Sequence, residues 1–170
     1  VRYQHLGQYQ YLPLYHKYIV YTDRFGVEWI ARGGPENVDS IRNPGKLATR
    51  SGELTRKNFV EFENKDKDAK ELIKSGADLS ADWEKIKQSI ASFDLKHDYE
   101  YKGNNSNATV DTALRDAGLS QPELDDFGDY LSPGNDFITP VATPPDPWVP
   151  TQPLRHDPLV LDLNGDGVKL

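Results

Sequence analysis

Oxygen-bearing side chains occupy alternate positions near the end of the chain, in the stretch DLNGDG. Asp162, Asn164 and Asp166 stand at positions 1, 3 and 5 of a D-x-[DN]-x-[DN]-G calcium loop, with Gly167 at position 6. A tightly curving backbone turns every second side chain toward one hard cation, which takes about six to eight oxygens. The carbonyl of Val168 would supply the next ligand. The spacing therefore predicts a calcium site.

The same letters also suit an ordinary turn after the apolar run LVLDL, because Asn-Gly and Asp-Gly pairs favour turns. A complete calcium loop carries a bidentate acid at its twelfth position, and that position falls three residues past Leu170. The sequence also contains no methionine. We therefore expect this chain to be a segment of a longer polypeptide that completes the site.

The stretch DPLVLDLNGDGVKL resembles the start of the calcium-dependent self-processing module of the RTX (repeats-in-toxin) iron-regulated proteins, which Gram-negative bacteria export. In that family an Asp-Pro bond directly precedes a Pro-Leu-x-Leu-Asp-Leu-Asp-Gly-Asp-Gly run. The resemblance covers about fourteen residues, makes Asp157-Pro158 the scissile bond, and places Asn164 where Asp is more usual. It implies a toxin-related, secreted or cell-surface protein with a role in virulence, which uses calcium.

An Asp-Pro bond suits such cleavage for a chemical reason. The Asp carboxylate can attack its own peptide carbonyl and close a five-membered anhydride, expelling the proline nitrogen. That nitrogen belongs to a tertiary amide, which twists out of conjugation and leaves more readily. A nearby calcium ion would hold the geometry and stabilise developing negative charge. The resemblance further implies that a lysine amine captures the anhydride and links two proteins.

Because most of the module would follow Pro158, we expect Asp157-Pro158 to stay intact in this 170-residue chain even with calcium. Mass spectrometry after incubation in millimolar calcium tests this expectation, and two fragments split at the bond would refute it. A second Asp-Pro pair, Asp146-Pro147, lies among other prolines with no neighbouring calcium motif.

A second candidate site pairs His16 with Ser106. Ser106 opens a predicted helix, where free backbone N–H groups can hold an oxyanion, and a strand histidine can act as base. This order is similar to that of the circularly permuted papain-like hydrolases and acyltransferases, although that group uses Cys where Ser106 stands. Asp23 and Glu28 are the candidates for an orienting third residue. The alternative interpretation is simple helix capping by Asn105, Ser106 and Asn107.

The elements that would position these residues begin with a predicted β-hairpin. YHKYIVYT (Tyr15–Thr22) and VEWIAR (Val27–Arg32) read as strands joined by the turn DRFG. RGGP (Arg32–Pro35) is expected to break the pairing. The polar-interrupted segment from Glu53 to Glu63 is a further strand candidate.

Two helices follow from apolar spacing. Trp83, Ile86, Ile90 and Phe93 form one stripe behind a predicted N-cap at Ser80. In NATVDTALRDAGL an apolar face is followed by Gly118 at the position of a C-terminal glycine, with Leu119 in contact behind it. The capping-box pattern of Ser120 and Glu123 predicts a third short helix.

Together these elements predict an α+β domain over 1–131, with a small, mostly antiparallel sheet and two or three packed helices. Eight of the twelve prolines lie between Pro133 and Pro158, so 132–156 reads as an extended, semi-rigid connector. Residues 157–170 form the start of the self-processing module. Trp148 and Phe137 are candidates to fix the connector to the domain.

Composition limits the partners. The chain carries 27 acidic and 20 basic residues, a net charge of −7, without a Lys/Arg cluster, which disfavours nucleic acid. No apolar run is long enough to span a membrane, and the absence of cysteine excludes disulfides and thiolate zinc sites. We expect a domain that binds a protein at the bacterial or host surface. The alternatives are a papain-like acyl hydrolase or its inactive relative, and an accessory folding domain without a ligand.

Overall fold

The computed structural model describes residues 1–5, 15–40, 42–122 and 138. Within them lies an antiparallel five-stranded sheet of order β4-β3-β2-β1-β5. The elements are strands β1 (Arg2–His5), β2 (Tyr15–Thr22), β3 (Glu28–Pro35), β4 (Leu47–Glu53) and β5 (Ala69–Lys70), helices α1 (Ser80–Phe93) and α2 (Ser106–Asp116), and a 3₁₀ helix (Val60–Glu63). The predicted α+β class with an antiparallel sheet is confirmed.

The hairpin of β2 and β3 forms as predicted. Its turn is organised by the Asp23 carboxylate, which accepts hydrogen bonds from the backbone N–H groups of Phe25 and Val27 at 2.8 and 2.9 Å. The indole N–H of Trp29 donates to the other carboxylate oxygen at 3.1 Å. Gly26 adopts φ +81°, which only glycine adopts without strain. Asp23 is thus a turn-forming residue.

The prediction that Arg32–Pro35 breaks the pairing is confirmed for the hairpin, because the β2–β3 pairs end at Ala31. It does not hold for β3 as a strand. β3 continues to Pro35, and Gly33 and Gly34 pair with Thr49 and Ala48 of β4. The reason is the approach of α2: a Cβ atom on Gly33 would lie 2.1 Å from the Thr109 hydroxyl oxygen. Here glycine permits a helix to pack directly on the strand backbone.

The strand predicted between Glu53 and Glu63 is also wrong. β4 ends at Glu53, and the chain turns at Thr55, whose carbonyl accepts the N–H of Asn58 and of Phe59. The 3₁₀ helix then carries Glu61 into the interior. β4 itself was not predicted, because its sequence LATRSGE is polar and lies at the sheet edge.

Strand alternation divides the sheet side chains between two covered faces. Both helices pack on the face that carries Lys17, Ile19, Ala31 and Gly33, here called the helix face. The other, here called the far face, carries the remaining alternate positions of the same strands. Its apolar cluster consists of Tyr18, Ile30, Leu54 and Phe59.

The two helices carry most of the core on the helix face. Trp83, Ile86, Ile90 and Phe93 of α1 are buried, as the stripe predicted. The N-cap differs from the prediction: Leu79 precedes the first helical residue, Ser80, whose N–H donates to the Asp78 carboxylate at 2.9 Å.

The end of α2 matches the prediction. Gly118 adopts φ +74°, and the N–H of Leu119 donates to the Leu114 carbonyl at 2.9 Å. This left-handed glycine closes the helix in the expected way. Ser120 to Pro122 are not helical, and the rest of the predicted third helix, from Glu123, lies outside the described residues.

The core reaches into the segment assigned to the connector. Ile138 is 3% exposed, belongs to the main hydrophobic cluster, and donates its backbone N–H to the Thr112 hydroxyl at 2.9 Å. The remainder of 132–156, including Phe137 and Trp148, and all of 157–170 lie outside the described residues.

Candidate functional site

The predicted self-processing and calcium residues lie outside the described part of the chain. They are Asp157, Pro158, Asp162, Asn164, Asp166 and Val168. Over the described ranges, no three His, Cys, Asp or Glu side chains gather in a way that could hold a metal ion. The case for calcium therefore depends on the donor set of the sequence, where carboxylate, amide and carbonyl oxygens alternate as a hard cation prefers.

Ser106 is the first residue of α2 and only 7% exposed. The N-terminus of the helix is closed by Asn105, whose side-chain oxygen accepts the N–H groups of Asn107 and Ala108 at 2.9 and 3.1 Å. The capping interpretation of this stretch is confirmed for Asn105. The N–H groups that an oxyanion hole would use at this terminus are engaged by the cap.

Asn107 binds α2 to the backbone of β2. Its side-chain oxygen accepts the Lys17 N–H at 2.9 Å, and its amide nitrogen donates to the Tyr15 carbonyl at 3.3 Å. One turn further along, Asp111 receives both hydrogen bonds of a buried ion pair with the Lys17 ammonium, at 2.9 and 3.0 Å. The N-terminal half of α2 is therefore anchored by polar contacts that the sequence did not reveal.

His16 points to the far face, away from α2. Its Nε2 lies 3.2 Å from the Glu61 carboxylate, and Arg32 pairs with the same carboxylate oxygen at 2.6 Å. Burial lowers the pKa of His16, outweighing the hydrogen bond to Glu61 that would raise it. Burial alone would raise the pKa of Glu61, but the His16 hydrogen bond and the Arg32 guanidinium hold that pKa below its usual value. The geometry suits a neutral His16 donating to an ionised Glu61.

The sheet separates His16 from Ser106. Neighbouring residues of a strand project to opposite faces, and Lys17 is the one that meets α2. His16 therefore cannot take a proton from the Ser106 hydroxyl, and the structure does not bring the proposed catalytic pair together. The residues suggested as a third member are also occupied: Asp23 forms the hairpin turn, and Glu28 pairs with Arg2 and Lys65.

The far face continues as a buried polar network. The Tyr18 hydroxyl donates to Asp68 at 2.6 Å, and burial raises the pKa of both groups. Arg2 Nη1 and Glu61 Oε2 are buried without a hydrogen-bond partner among the described residues. Such a network resists rearrangement, because any group that loses its partner incurs a desolvation penalty. It serves to hold the far face together.

Two concavities flank α1 where it crosses the sheet. The first, here called the α2-side cavity, has a volume of about 290 Å³. Its apolar lining comes from β2, segment 71–79, α1 and the end of α2, and includes Ile19, Tyr21, Leu72, Ile73, Leu79, Trp83, Ile86, Leu114 and Leu119. Glu71, Lys74 and Asp82 add charged groups.

The second concavity, here called the β-side cleft, has a volume of about 470 Å³. Its lining combines aromatic and polar groups: Tyr21, Asp23, Trp29, Ser51, Gly52, Ser80, Trp83, Glu84 and Lys87. Tyr21 and Trp83 stack with ring centroids 5.5 Å apart and contribute to both concavities. Only the apolar stripe of α1 and the aromatic residues of β2 and β3 could have indicated these sites in the sequence.

Comparisons with models of known families, with curated proteins and with solved structures found no match to this chain. The RTX resemblance of the C-terminal stretch therefore stays a prediction. None of the helices in the described ranges has the length and apolarity to cross a membrane.

Proposed function

We propose that this chain belongs to an exported RTX-type protein of a Gram-negative bacterium. Its α+β domain binds a protein partner at the bacterial or host surface. The residues from Asp157 onward begin a calcium-triggered self-processing module that acts on the Asp157-Pro158 bond. In this proposal the protein is secreted or displayed at the cell surface.

The observation that carries the proposal for the domain is the β-side cleft. Tyr and Trp side chains with a charged rim are typical of the centres of protein–protein interfaces. Trp29 and Tyr21 are half-buried in the cleft, and Lys87 and Glu84 offer both signs of charge beside them. The alternative of an acyl hydrolase has no such support, because the sheet lies between His16 and Ser106.

Once calcium and the rest of the module are present, the bond-breaking step itself would use groups of Asp157 and Pro158. The Asp157 carboxylate attacks the Asp157 carbonyl carbon, the C–N bond to Pro158 breaks, and the departing proline nitrogen takes up a proton. The N-terminal product then ends in a cyclic anhydride. A lysine amine opens the anhydride, forming an amide and releasing one carboxylate and one proton. Calcium bound to Asp162, Asn164, Asp166 and Val168 would supply positive charge and fix this geometry.

The domain lies on the N-terminal side of the Asp157-Pro158 bond, and this position gives it a role in the joining reaction. After cleavage the domain remains on the fragment that carries the reactive Asp157 carbonyl. A partner held by the domain would present its lysines at high effective concentration to that carbonyl. Recognition by the domain would thus select which protein becomes covalently attached.

Calcium addition to the full-length gene product tests both parts. We expect two fragments split between Asp157 and Pro158, and an amide between Asp157 and a lysine of a surface protein, each identified by mass spectrometry. In the double variant Ser51→Arg, Lys87→Glu, the yield of the joined product should fall about tenfold, the effect of about 1.4 kcal/mol in binding. Cleavage itself should be unchanged.

Arg56→Glu is the matched control, since it reverses a charge at a side chain that is 76% exposed and does not line the cleft. It should leave both cleavage and joining at parent levels. Absence of cleavage would overturn the self-processing role. Cleavage with equal joining in the cleft variant would overturn the binding role of the domain.

A further inference from the structure

The α2-side cavity is lined mainly by apolar side chains, and its lining lacks an aromatic group on the α2 side. Leu114 and Leu119 form that side, opposite the Tyr21 and Trp83 rings. A volume of about 290 Å³ lies at the lower end of the range for small-molecule pockets, about 300–1,000 Å³. The space therefore suits one large side chain better than an extended ligand.

Ile138 fixes one point of the predicted connector on the domain. Its backbone N–H is held by Thr112 of α2, and its side chain is buried in the core. The cavity is lined by Leu114 of the same helix, on roughly the opposite side of the helix from Thr112. To reach the cavity, the chain after Ile138 must pass around a helix about 10–12 Å in diameter.

Trp148 is the only Phe, Tyr or Trp after Ile138 in the sequence. It follows Ile138 by ten residues, which can span up to about 33 Å when extended, roughly twice the half-circumference of such a helix. Pro147 precedes it and Pro150 follows it closely. These prolines restrict the backbone before docking, so less conformational entropy is lost when the indole is bound.

From this we infer that the Trp148 indole of the same chain fills the α2-side cavity and fixes the connector to the domain. The ring packs against Ile86, Leu114 and Trp83, and the carboxylates of Glu71 and Asp82 are acceptors for its N–H. Asp157 lies nine residues after Trp148, so it is held within about 30 Å of the cavity. The consequence for self-processing rests on the proposed function; the docking does not.

Fluorine NMR on the full chain labelled with 5-fluorotryptophan tests the inference, since the sequence has three tryptophans. The Trp148 signal is assigned by its loss in Trp148→Phe. We expect that signal to show almost no shift on exchange from H₂O to D₂O, as for a buried indole. We also expect Trp148→Ala to move the Trp83 signal, because Trp83 lines the cavity.

Leu154→Ala is the matched control, because it shortens another apolar residue of the same segment and should leave the Trp83 signal in place. A Trp148 signal with the full solvent shift, together with an unmoved Trp83 signal in Trp148→Ala, would overturn the docking. Burial that appears only as protein concentration rises would assign the cavity to a second copy and also overturn it. The measurement needs neither calcium nor a partner, so its failure would leave the proposed function standing.

Discussion

Lys17 and His16 are adjacent residues of β2 whose side chains project to opposite faces of the sheet and take part in different ionic contacts. Lys17 projects to the helix face, where it is fully buried and forms a bidentate ion pair with Asp111 of α2. His16 projects to the far face, where its neutral ring completes the environment of an ionised Glu61 paired with Arg32. The partners of Lys17 and His16 come from different elements, which ties α2 and the 3₁₀ helix to the same strand.

Lys17→Met should destabilise the domain by about 3–5 kcal/mol, because it leaves the Asp111 carboxylate buried without its cation. Urea unfolding followed by circular dichroism measures the change. Lys46→Met is the control: it breaks the Lys46–Asp98 pair, whose side chains are 46% and 77% exposed, and should cost about 1 kcal/mol or less. Equal losses for the two variants would contradict a structural role for the buried pair.

The far-face network should make stability fall in acid. The pKa of His16 is lower in the folded state than in the unfolded state. Below the unfolded value of 6.5, the unfolded state therefore binds a proton that the folded state does not bind, and this favours unfolding. The lowered pKa of Glu61 adds a further loss of stability below its ordinary value of 4.5, as pH falls toward the folded pKa. The raised pKa of Asp68 acts in the opposite sense and offsets part of this second loss.

We therefore expect the free energy of unfolding to decrease from pH 6.5 downward, by up to about 1.4 kcal/mol per pH unit for one proton. Chemical denaturation at a series of pH values measures the slope. His16→Gln retains a hydrogen-bond donor for Glu61 but cannot titrate, so it should flatten the upper part of this dependence. An unchanged slope between pH 6.5 and 5 in that variant would show that His16 is not the group responsible.

At the scale of elements, the contact between α2 and β3 is set by the absence of a side chain. Thr109 of α2 lies directly over Gly33 and donates its hydroxyl to the Asn105 carbonyl at 2.9 Å. The same helix is held over β2 by Asn107 and Asp111. The helix therefore has little freedom to move away from an added Cβ atom.

Gly33→Ala should destabilise the domain by about 1–3 kcal/mol, since the new methyl group must displace Thr109 or the strand. Gly52→Ala is the matched control on the neighbouring strand, where the nearest atom to the added Cβ is a Phe59 ring carbon at 3.3 Å. That ring can yield by a few tenths of an ångström, so the loss should be smaller. Thermal unfolding of the two variants side by side measures the difference, and an equal or larger loss for Gly52→Ala would argue against the close helix approach.

For the whole molecule, we expect the domain and the predicted calcium loop to behave as separate units along the chain. The described core ends at Ile138, whereas the first predicted calcium ligand is Asp162. The predicted connector between them carries most of the prolines in the sequence. We expect loss of calcium ligands to affect self-processing without affecting the fold of the domain.

In the full-length gene product, the double variant Asp162→Ala, Asp166→Ala should lose calcium-dependent cleavage at Asp157-Pro158. The melting of the domain should change by no more than about 0.5 kcal/mol. Asp146→Ala, at the other Asp-Pro pair, should cleave like the parent. Mass spectrometry and calorimetry measure the two effects, and cleavage that survives in the double variant would contradict the assignment of the calcium ligands.

Local patterns predicted the elements that depend on neighbouring residues. The hairpin turn follows from Asp23 and Gly26, and the ends of α2 follow from Asn105 and Gly118. The predictions failed where a distant element decides the outcome. Gly33 and Gly34 resemble a turn unless one knows that α2 lies above them, and β4 is a strand because β3 pairs with it.

The candidate hydrolase site failed for the same kind of reason. A strand that is covered on both faces has apolar residues on both faces. In β2, Ile19 lies on one face and Tyr18 and Val20 lie on the other, so the alternation of residues could not show which face α2 would cover. The ion pair between Lys17 and Asp111, which are 94 residues apart in the chain, shows that α2 covers the face of β2 that carries Lys17. The pattern of residues could not supply this contact.

The sequence by itself determined the α+β class, the hairpin, the apolar stripes of both helices and the proline-rich composition beyond the domain, because each depends on local backbone preferences and short-range periodicity. Only the tertiary structure decided that His16 and Ser106 lie on opposite faces, that a glycine pair belongs to a strand, and that two concavities flank α1. These outcomes depend on contacts between residues far apart in the chain, which form only when the helices pack on one face of the sheet.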